Sequence, residues 1–136
     1  MKFLGTRGQP SVEMITMVSL LVIILAGFSL VAFQNYSEFV VDRQFIEAKE
    51  VARQVATEIN TAISVGSGYG RMFALRESFY GGEDYVVRTL PNDQVVEITW
   101  GSYRYTVPIL SSNVEEKTLV NGNNTISNQG GLIKLA

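Results

Sequence analysis

The apolar residues of this chain are concentrated in one run near the N-terminus. Residues 14–33 contain no charged side chain, and as an α-helix they would extend for about 30 Å, the thickness of a bilayer's hydrocarbon core. Leaving an aliphatic side chain in water costs roughly 1.5–3 kcal/mol. For the whole run the cost would be on the order of tens of kcal/mol, more than the stability of a small domain. The pattern therefore predicts a helix that lies in lipid or against similar helices.

The predicted helix continues beyond this run with a different pattern. Residues 34–64 contain no Gly or Pro and are rich in helix-forming residues. Their apolar positions recur at steps of three and four, which places them on one face of a helix: Val41, Phe45, Ala48, Ala52, Val55, Ile59 and Ala62. A helix of about 50 residues would be on the order of 75 Å long. We expect its first half to be apolar all round and its second half to cover a head domain.

Residues 65–136 are expected to form that head. The glycine-rich residues 66–70 are interpreted as a helix stop and linker. Alternating patterns predict strands at residues 85–90, 95–100 and 103–110, and a further hairpin of residues 118–126 about a turn at 121–124, before a last strand at 132–135. The expected fold class is α+β, in which a long N-terminal hydrophobic and amphipathic helix packs on one small antiparallel sheet of four to six strands.

Composition narrows the chemistry that such a fold can perform. The chain has 136 residues, a formal net charge of −2, and neither Cys nor His. A Ser–His–Asp triad, a Cys–His pair, a disulfide framework and an ordinary zinc site are therefore excluded. With this net charge, the sequence does not predict a broad basic surface for binding nucleic acid. Glu83, Asp84 and Asp93 could contribute to a calcium site, but they lack the spacing of a calcium-binding loop. We therefore expect neither an enzyme nor a cofactor or metal site.

The first eight residues differ from the apolar run that follows them. They carry two positive charges, and positive charge before an apolar helix keeps that end in the cytoplasm. An ordinary secretory signal would be cut after a shorter apolar run, whereas here the small residue Gly8 precedes the run. Pro10 disfavours helix at Gln9 and suits a first turn, with Ser11 as a cap. We therefore expect the Gly8–Gln9 bond to lie outside the helix, where a protease can reach it.

The stretch Arg7-Gly8-Gln9-x-Ser11-x-Glu13, followed by an apolar helix, resembles the class III signal peptide of archaeal type IV pilins. In that family a membrane aspartic protease, the prepilin peptidase, cuts after the Gly, and the apolar segment stays on a lollipop-shaped subunit. The resemblance implies that cleavage separates Gly8 from Gln9, with Arg7, Ser11 and Glu13 as recognition residues for peptidase and assembly.

The same resemblance implies how the chain is divided. Residues 1–8 would be the leader, and residues 9–33 would span the membrane before assembly and form the filament core afterwards. Residues 34–64 would continue the helix and residues 65–136 would form the head.

Function and partners are also implied by the resemblance. The chain is expected to be a structural subunit of an extracellular type IV pilus-like homopolymer for surface adhesion, with its precursor in the cytoplasmic membrane. Archaellins typically carry another pattern, so the Gln-x-Ser-x-Glu stretch favours an adhesive pilus. Implied partners are further copies of the chain, membrane lipid, the prepilin peptidase, an assembly ATPase and its membrane platform protein. The alternatives are a minor or tip pilin and an uncleaved single-span membrane protein with an extracellular binding head.

Two residues of the helix each allow two interpretations. Glu13 is either an exposed first-turn carboxylate favoured by the helix dipole, or a partner for the α-amine that cleavage creates on Gln9, since buried charges need partners. Gly27 costs about 1 kcal/mol in a helix, and it either permits close packing of a neighbouring helix or creates a point at which the helix bends.

Two triplets have the form of N-glycosylation acceptors. They begin at Asn35, on the predicted helix, and at Asn123, in the predicted polar turn. The turn position makes Asn123 the better candidate, because neighbouring subunits could bury Asn35.

Overall fold

The computed structural model of the protein describes residues 9–136, with side chains from Val12 onward. It contains one long helix, α1 (Gln9–Val65), and seven strands. The chain divides into two compact units after Phe39. The described residues of the first unit are all helical, and the second unit, Val40–Ala136, contains the rest of α1 and the seven strands. The predicted α+β class is confirmed.

The strands of the second unit form two antiparallel sheets, and not the single sheet of four to six strands that the sequence suggested. In chain order the strands are β1 (Gly70–Leu75), β2 (Tyr85–Leu90), β3 (Val95–Trp100), β4 (Tyr103–Pro108), β5 (Thr118–Leu119), β6 (Gly122–Gln129) and β7 (Leu132–Leu135). The three-stranded sheet has the order β1-β6-β7, and the four-stranded sheet has the order β4-β3-β2-β5.

The core of this unit lies between the helix and the inner faces of the sheets. The predicted stripe is confirmed from Ala48 to Ala62, since every member of it in that range is fully buried. At its start the stripe departs from the prediction, because Val41 is half-buried and Phe45 is 42% exposed. The Phe45 ring nevertheless contacts the sheet, with its centroid 5.7 Å from that of Trp100. Among the side chains that the structure describes, the buried ones all belong to residues 44–135, so we expect Val40–Ala136 to fold without the first unit.

The predicted hairpin of residues 118–126 is wrong. Strand β5 pairs with β2, whereas β6 starts at Gly122 and pairs with β1 and β7. The prediction failed because β6 places two asparagines in the core, so that its inner face resembles a turn in sequence. Asn124 donates to the carbonyl oxygens of Val120 and Gly122, and Asn128 donates to Ala62 at the end of α1, 2.8 Å away. Buried amides are tolerated when they are hydrogen-bonded in this way.

The segment between β4 and β6 connects the two sheets. Its Asn113 and Glu115 exchange backbone hydrogen bonds with Ile133 of β7, and its Lys117 accepts a hydrogen bond from the backbone of Thr89 on β2. The Thr89 side chain is fully buried and donates to the carbonyl oxygen of Glu115, 2.7 Å away. Within residues 9–136, the segment therefore occupies the outer edges of β7 and β2, which leaves β1 and β4 as the outermost long strands.

Polar side chains of α1 bind β1 and the loop that follows it. Gln54 donates to the carbonyl oxygen of Ala74 at 3.0 Å. Gln44 and Glu47 bind the two backbone groups of Tyr80, the first by donating to its carbonyl at 3.0 Å and the second by accepting from its N–H at 2.7 Å. Glu47 also lies 3.1 Å from Arg76, and its side chain is 12% exposed. These contacts fix the loop against the helix.

Replacing Glu47 with Ala is expected to lower the unfolding free energy of the segment Val40–Ala136 by about 2 kcal/mol, because the Tyr80 N–H would lose its buried acceptor and Arg76 its closest carboxylate. Urea unfolding measures the change. Glu50→Ala is the matched control, since Glu50 contacts the same arginine at 3.2 Å but its side chain is 63% exposed, and it should cost no more than about 0.5 kcal/mol. Equal losses for the two variants would contradict this role of Glu47.

Tyr85 predicts a stability change at high pH. Burial raises the pKa of the Tyr85 phenol from its ordinary 10.0 to about 12, and the charge of Arg76 opposes this only partly. Between pH 10 and pH 12 the phenol ionises in the unfolded chain but not in the folded one. The stability that the neutral Tyr85 phenol contributes is therefore fully present below pH 10 and is lost as the pH rises to 12. The loss should be on the order of 2 kcal/mol. Tyr85→Phe should flatten the unfolding free energy between pH 10 and 12, and an unchanged slope would refute the assignment.

Candidate functional site

The first unit presents an apolar helical surface. Every described side chain from Val12 to Phe39 is exposed, and the large apolar ones range from 50% exposed at Ile24 to 73% at Phe33. Among the described residues, this is the one helix that is long and apolar enough to cross a membrane. The contrast with the second unit is sharp, because there the corresponding apolar stripe of the same helix is buried.

The hydroxyl groups of this surface do not require water. Thr16, Ser19 and Ser29 each donate to the carbonyl oxygen four residues earlier, at 2.8 Å in all three cases. Ser37 makes a similar bond to Gln34. A hydroxyl that is satisfied within its own helix removes most of the cost of burying it in an apolar environment. The helix is thus able to enter lipid, or an interface of similar helices, without unpaired side-chain donors at these positions.

Gly27 lies at a notch in the same surface. A Cβ atom placed on it would meet no atom within 4 Å, and a shallow apolar groove of about 380 Å³ is lined there by Ile24, Gly27, Phe28 and Val31. A second groove of about 430 Å³ is lined by Met17, Leu20, Leu21, Ile24, Leu25 and Phe28. Because no described contact within the chain requires the glycine, its interpretation as a packing site for a neighbouring helix stays a prediction.

Glu13 interrupts the apolar surface. It is exposed, and the next charged residue along the chain is Glu38. The interpretation of Glu13 as a first-turn carboxylate needs correction, because α1 begins at Gln9 and no acidic residue lies in its first turn. One turn further in, the helix dipole stabilises a carboxylate less.

The structure describes only part of the expected cleavage site. Arg7 and Gly8 lie outside the described residues, and Gln9 and Ser11 are described as helical backbone only. The start of α1 at Gln9 corrects two expectations, because Gln9 is already helical and Ser11 is inside the first turn and not at the cap. Pro10 fits this arrangement, since the first N–H groups of a helix have no intrahelical acceptor to lose.

The two glycosylation triplets fall on different units. Asn35 is an exposed residue of α1 in the first unit. Asn123 is also exposed, but the expected polar turn around it is wrong, because it lies within β6 opposite Ala74 of β1. Its exposure therefore results from strand alternation and not from a loop.

The described part of the second unit offers no assembled metal site. No group of three His, Cys, Asp or Glu side chains among the described residues is placed to hold a metal ion, so Glu83, Asp84 and Asp93 do not form one. Trp100 is 2% exposed, and its ring packs against Phe79 as well as Phe45. Tyr103, by contrast, is 46% exposed and stacks on Trp100 at 5.6 Å.

Comparisons of this chain with protein-family models, with curated proteins and with solved structures gave no significant match.

Proposed function

We propose that this chain is the structural subunit of an extracellular filament of the archaeal type IV pilus kind, used for surface adhesion. The observation that carries the proposal is the exposed, charge-free surface of residues 14–33, on the same helix that forms the core of a folded unit. In the precursor this surface is covered by lipid, and in the filament it is covered by the same surface of other copies. At no stage does it meet water.

Removal of residues 1–8 would make that exchange possible. The leader contains Lys2 and Arg7 and no acidic residue, so its loss changes the formal net charge from −2 to −4. Positive residues at the cytoplasmic end hold a single-span helix in the bilayer. Without them, extraction of the helix into a polymer no longer requires moving these charges through the membrane. The prepilin peptidase makes the cut, and an assembly ATPase with its membrane platform protein drives the extraction.

The mature N-terminus tests this proposal. Protein isolated from its native host is expected to begin at Gln9 and to be found in filaments sheared from the cell surface. Gly8→Leu should abolish both cleavage and filaments, because a bulky side chain would block the peptidase, whereas Gly5→Leu, within the same leader, should change neither. N-terminal sequencing and electron microscopy provide the two readouts.

Other outcomes separate the competing functions. Protein that begins at Met1 and stays singly dispersed in the bilayer would overturn the filament proposal in favour of a single-span membrane protein with a binding head. A mature protein found only at filament tips would identify a minor subunit.

Glu13 is the second element of the proposal. Between Gln9 and Arg43 the sequence has no Lys or Arg, so the new α-amine of Gln9, on the same or a neighbouring copy, is the nearest cation in sequence. A carboxylate enclosed by apolar helices requires such a partner. Glu13→Gln should therefore be cleaved normally and assemble poorly, whereas Glu13→Asp should assemble better than Glu13→Gln.

Normal filaments from Glu13→Gln would reject the pairing and leave Glu13 as an exposed carboxylate without a required partner. The mass of the mature N-terminal peptide completes the test, because cyclisation of Gln9 with loss of ammonia would remove the amine.

A further inference from the structure

The outer face of the three-stranded sheet differs in composition from the rest of the surface of the second unit. Side chains alternate along its central strand β6, so that Asn124, Ile126 and Asn128 point into the core and the residues between them point outward. The outward positions of the three strands are Gly70, Met72, Ala74, Asn123, Thr125, Ser127, Gln129, Leu132 and Lys134. Lys134 is the one charged residue among them. The outer face of the four-stranded sheet, in contrast, carries Arg88, Glu97 and Arg104.

Both chemically required residues of the triplet 123–125 lie on this face. Asn123 and Thr125 are two positions apart on β6 and both are exposed, whereas the intervening Asn124 is 1% exposed. We propose that Asn123, and not Asn35, carries an N-linked oligosaccharide that lies over this face of the sheet. The inference rests on the proposed function to the extent that it requires the second unit to be outside the cell.

The surroundings of Asn123 suit an attached sugar. In the β1–β6 register Asn123 is opposite Ala74, and Thr125 is opposite Met72. Ala74 is small and leaves room beside the amide, while the Met72 side chain is 65% exposed and offers an apolar surface to the carbon-bearing face of a sugar ring. A glycan would thus cover a large apolar side chain that this unit leaves in water.

Asn35 has the opposite setting. It is two residues beyond the charge-free run and lies on α1 in the first unit. In the precursor such a position is at the bilayer boundary, and in the filament it is among neighbouring helices, so a bulky polar oligosaccharide there would oppose both states. Both asparagines are exposed, so exposure does not distinguish them. The difference is that Asn35 lies on α1 in the first unit and Asn123 lies on β6 in the second.

The reaction is a group transfer from a lipid-phosphate-linked oligosaccharide, catalysed by a membrane oligosaccharyltransferase. The Nδ2 atom of Asn123 forms a bond to the anomeric carbon of the first sugar. The bond from that carbon to the phosphate oxygen breaks, the lipid phosphate leaves with the bonding electron pair, and Nδ2 gives up one proton. No oxidation or reduction takes place.

Mass spectrometry of full-length protein from the native host tests the proposal. Trypsin should release residues 118–134 as one peptide and residues up to Arg43 as another. The first is expected to carry a glycan mass and the second none. Asn123→Gln and Thr125→Ala should each lose the glycan completely, whereas Thr125→Ser keeps an acceptor triplet and should retain it. Asn121→Gln, a neighbouring asparagine outside any triplet, should not change it.

The outcomes are distinguishable from those of the filament proposal. An unmodified 118–134 peptide, a glycan on Asn35, or a glycan that survives Asn123→Gln would each overturn the inference, even if the protein begins at Gln9 and forms filaments. A glycan on Asn123 of a protein that keeps Met1 and never polymerises would support the inference while the filament proposal fails.

Discussion

The burial of apolar surface on one helix is the constraint on which the rest of this structure depends. Helix α1 carries apolar side chains along its whole length, but they are covered in the second unit and exposed in the first. In the second unit the part of the stripe from Ala48 to Ala62 packs into the core and is fully buried. In the first unit the side chains from Val12 to Phe39 are exposed. Since apolar surface of this extent does not remain in water, it needs a cover that the described residues do not provide.

Polar groups show how each half of the helix is adapted to its setting. Towards the N-terminus, hydroxyls such as that of Ser19 bond to their own helix, so they make no demand on a neighbour. In the second unit, Glu47, Gln44 and Gln54 bond to backbone groups far along the chain and thereby fix β1 and its loop. Thr61 and Ser64 of the second unit also bond to their own helix, so the two halves differ in that the second half additionally supplies long polar side chains that reach β1 and its loop.

Sequence reasoning recovered the parts of the fold that follow from periodicity. The strands at 85–90 and 95–100 were predicted correctly from their alternating patterns. In the second of them, the alternation agrees with the burial of Val96, Ile98 and Trp100. Strand β1 was missed, because Gly70 was assigned to the linker and because the first three residues of the strand are all exposed, which breaks the alternation. One of them, Arg71, lies 3.3 Å from Glu58 of the helix. Strand β6 was misjudged because Asn124 and Asn128 are buried. Pairings that depend on a distant hydrogen-bond partner are not encoded in local pattern.

The edge strands of the second unit are protected against pairing with the strands of another copy. An open sheet edge is a template for another strand. The edge of β1 receives Gln54 from the helix at Ala74, and the outer edges of β7 and β2 are occupied by residues 113–119. Strand β4 carries Arg104, whose side chain is 69% exposed, and ends at Pro108, which has no N–H to donate. With the sheet edges protected in this way, the exposed apolar surface of the first unit is the part of the described chain that still lacks a cover, and this supports the proposal of a filament built on α1.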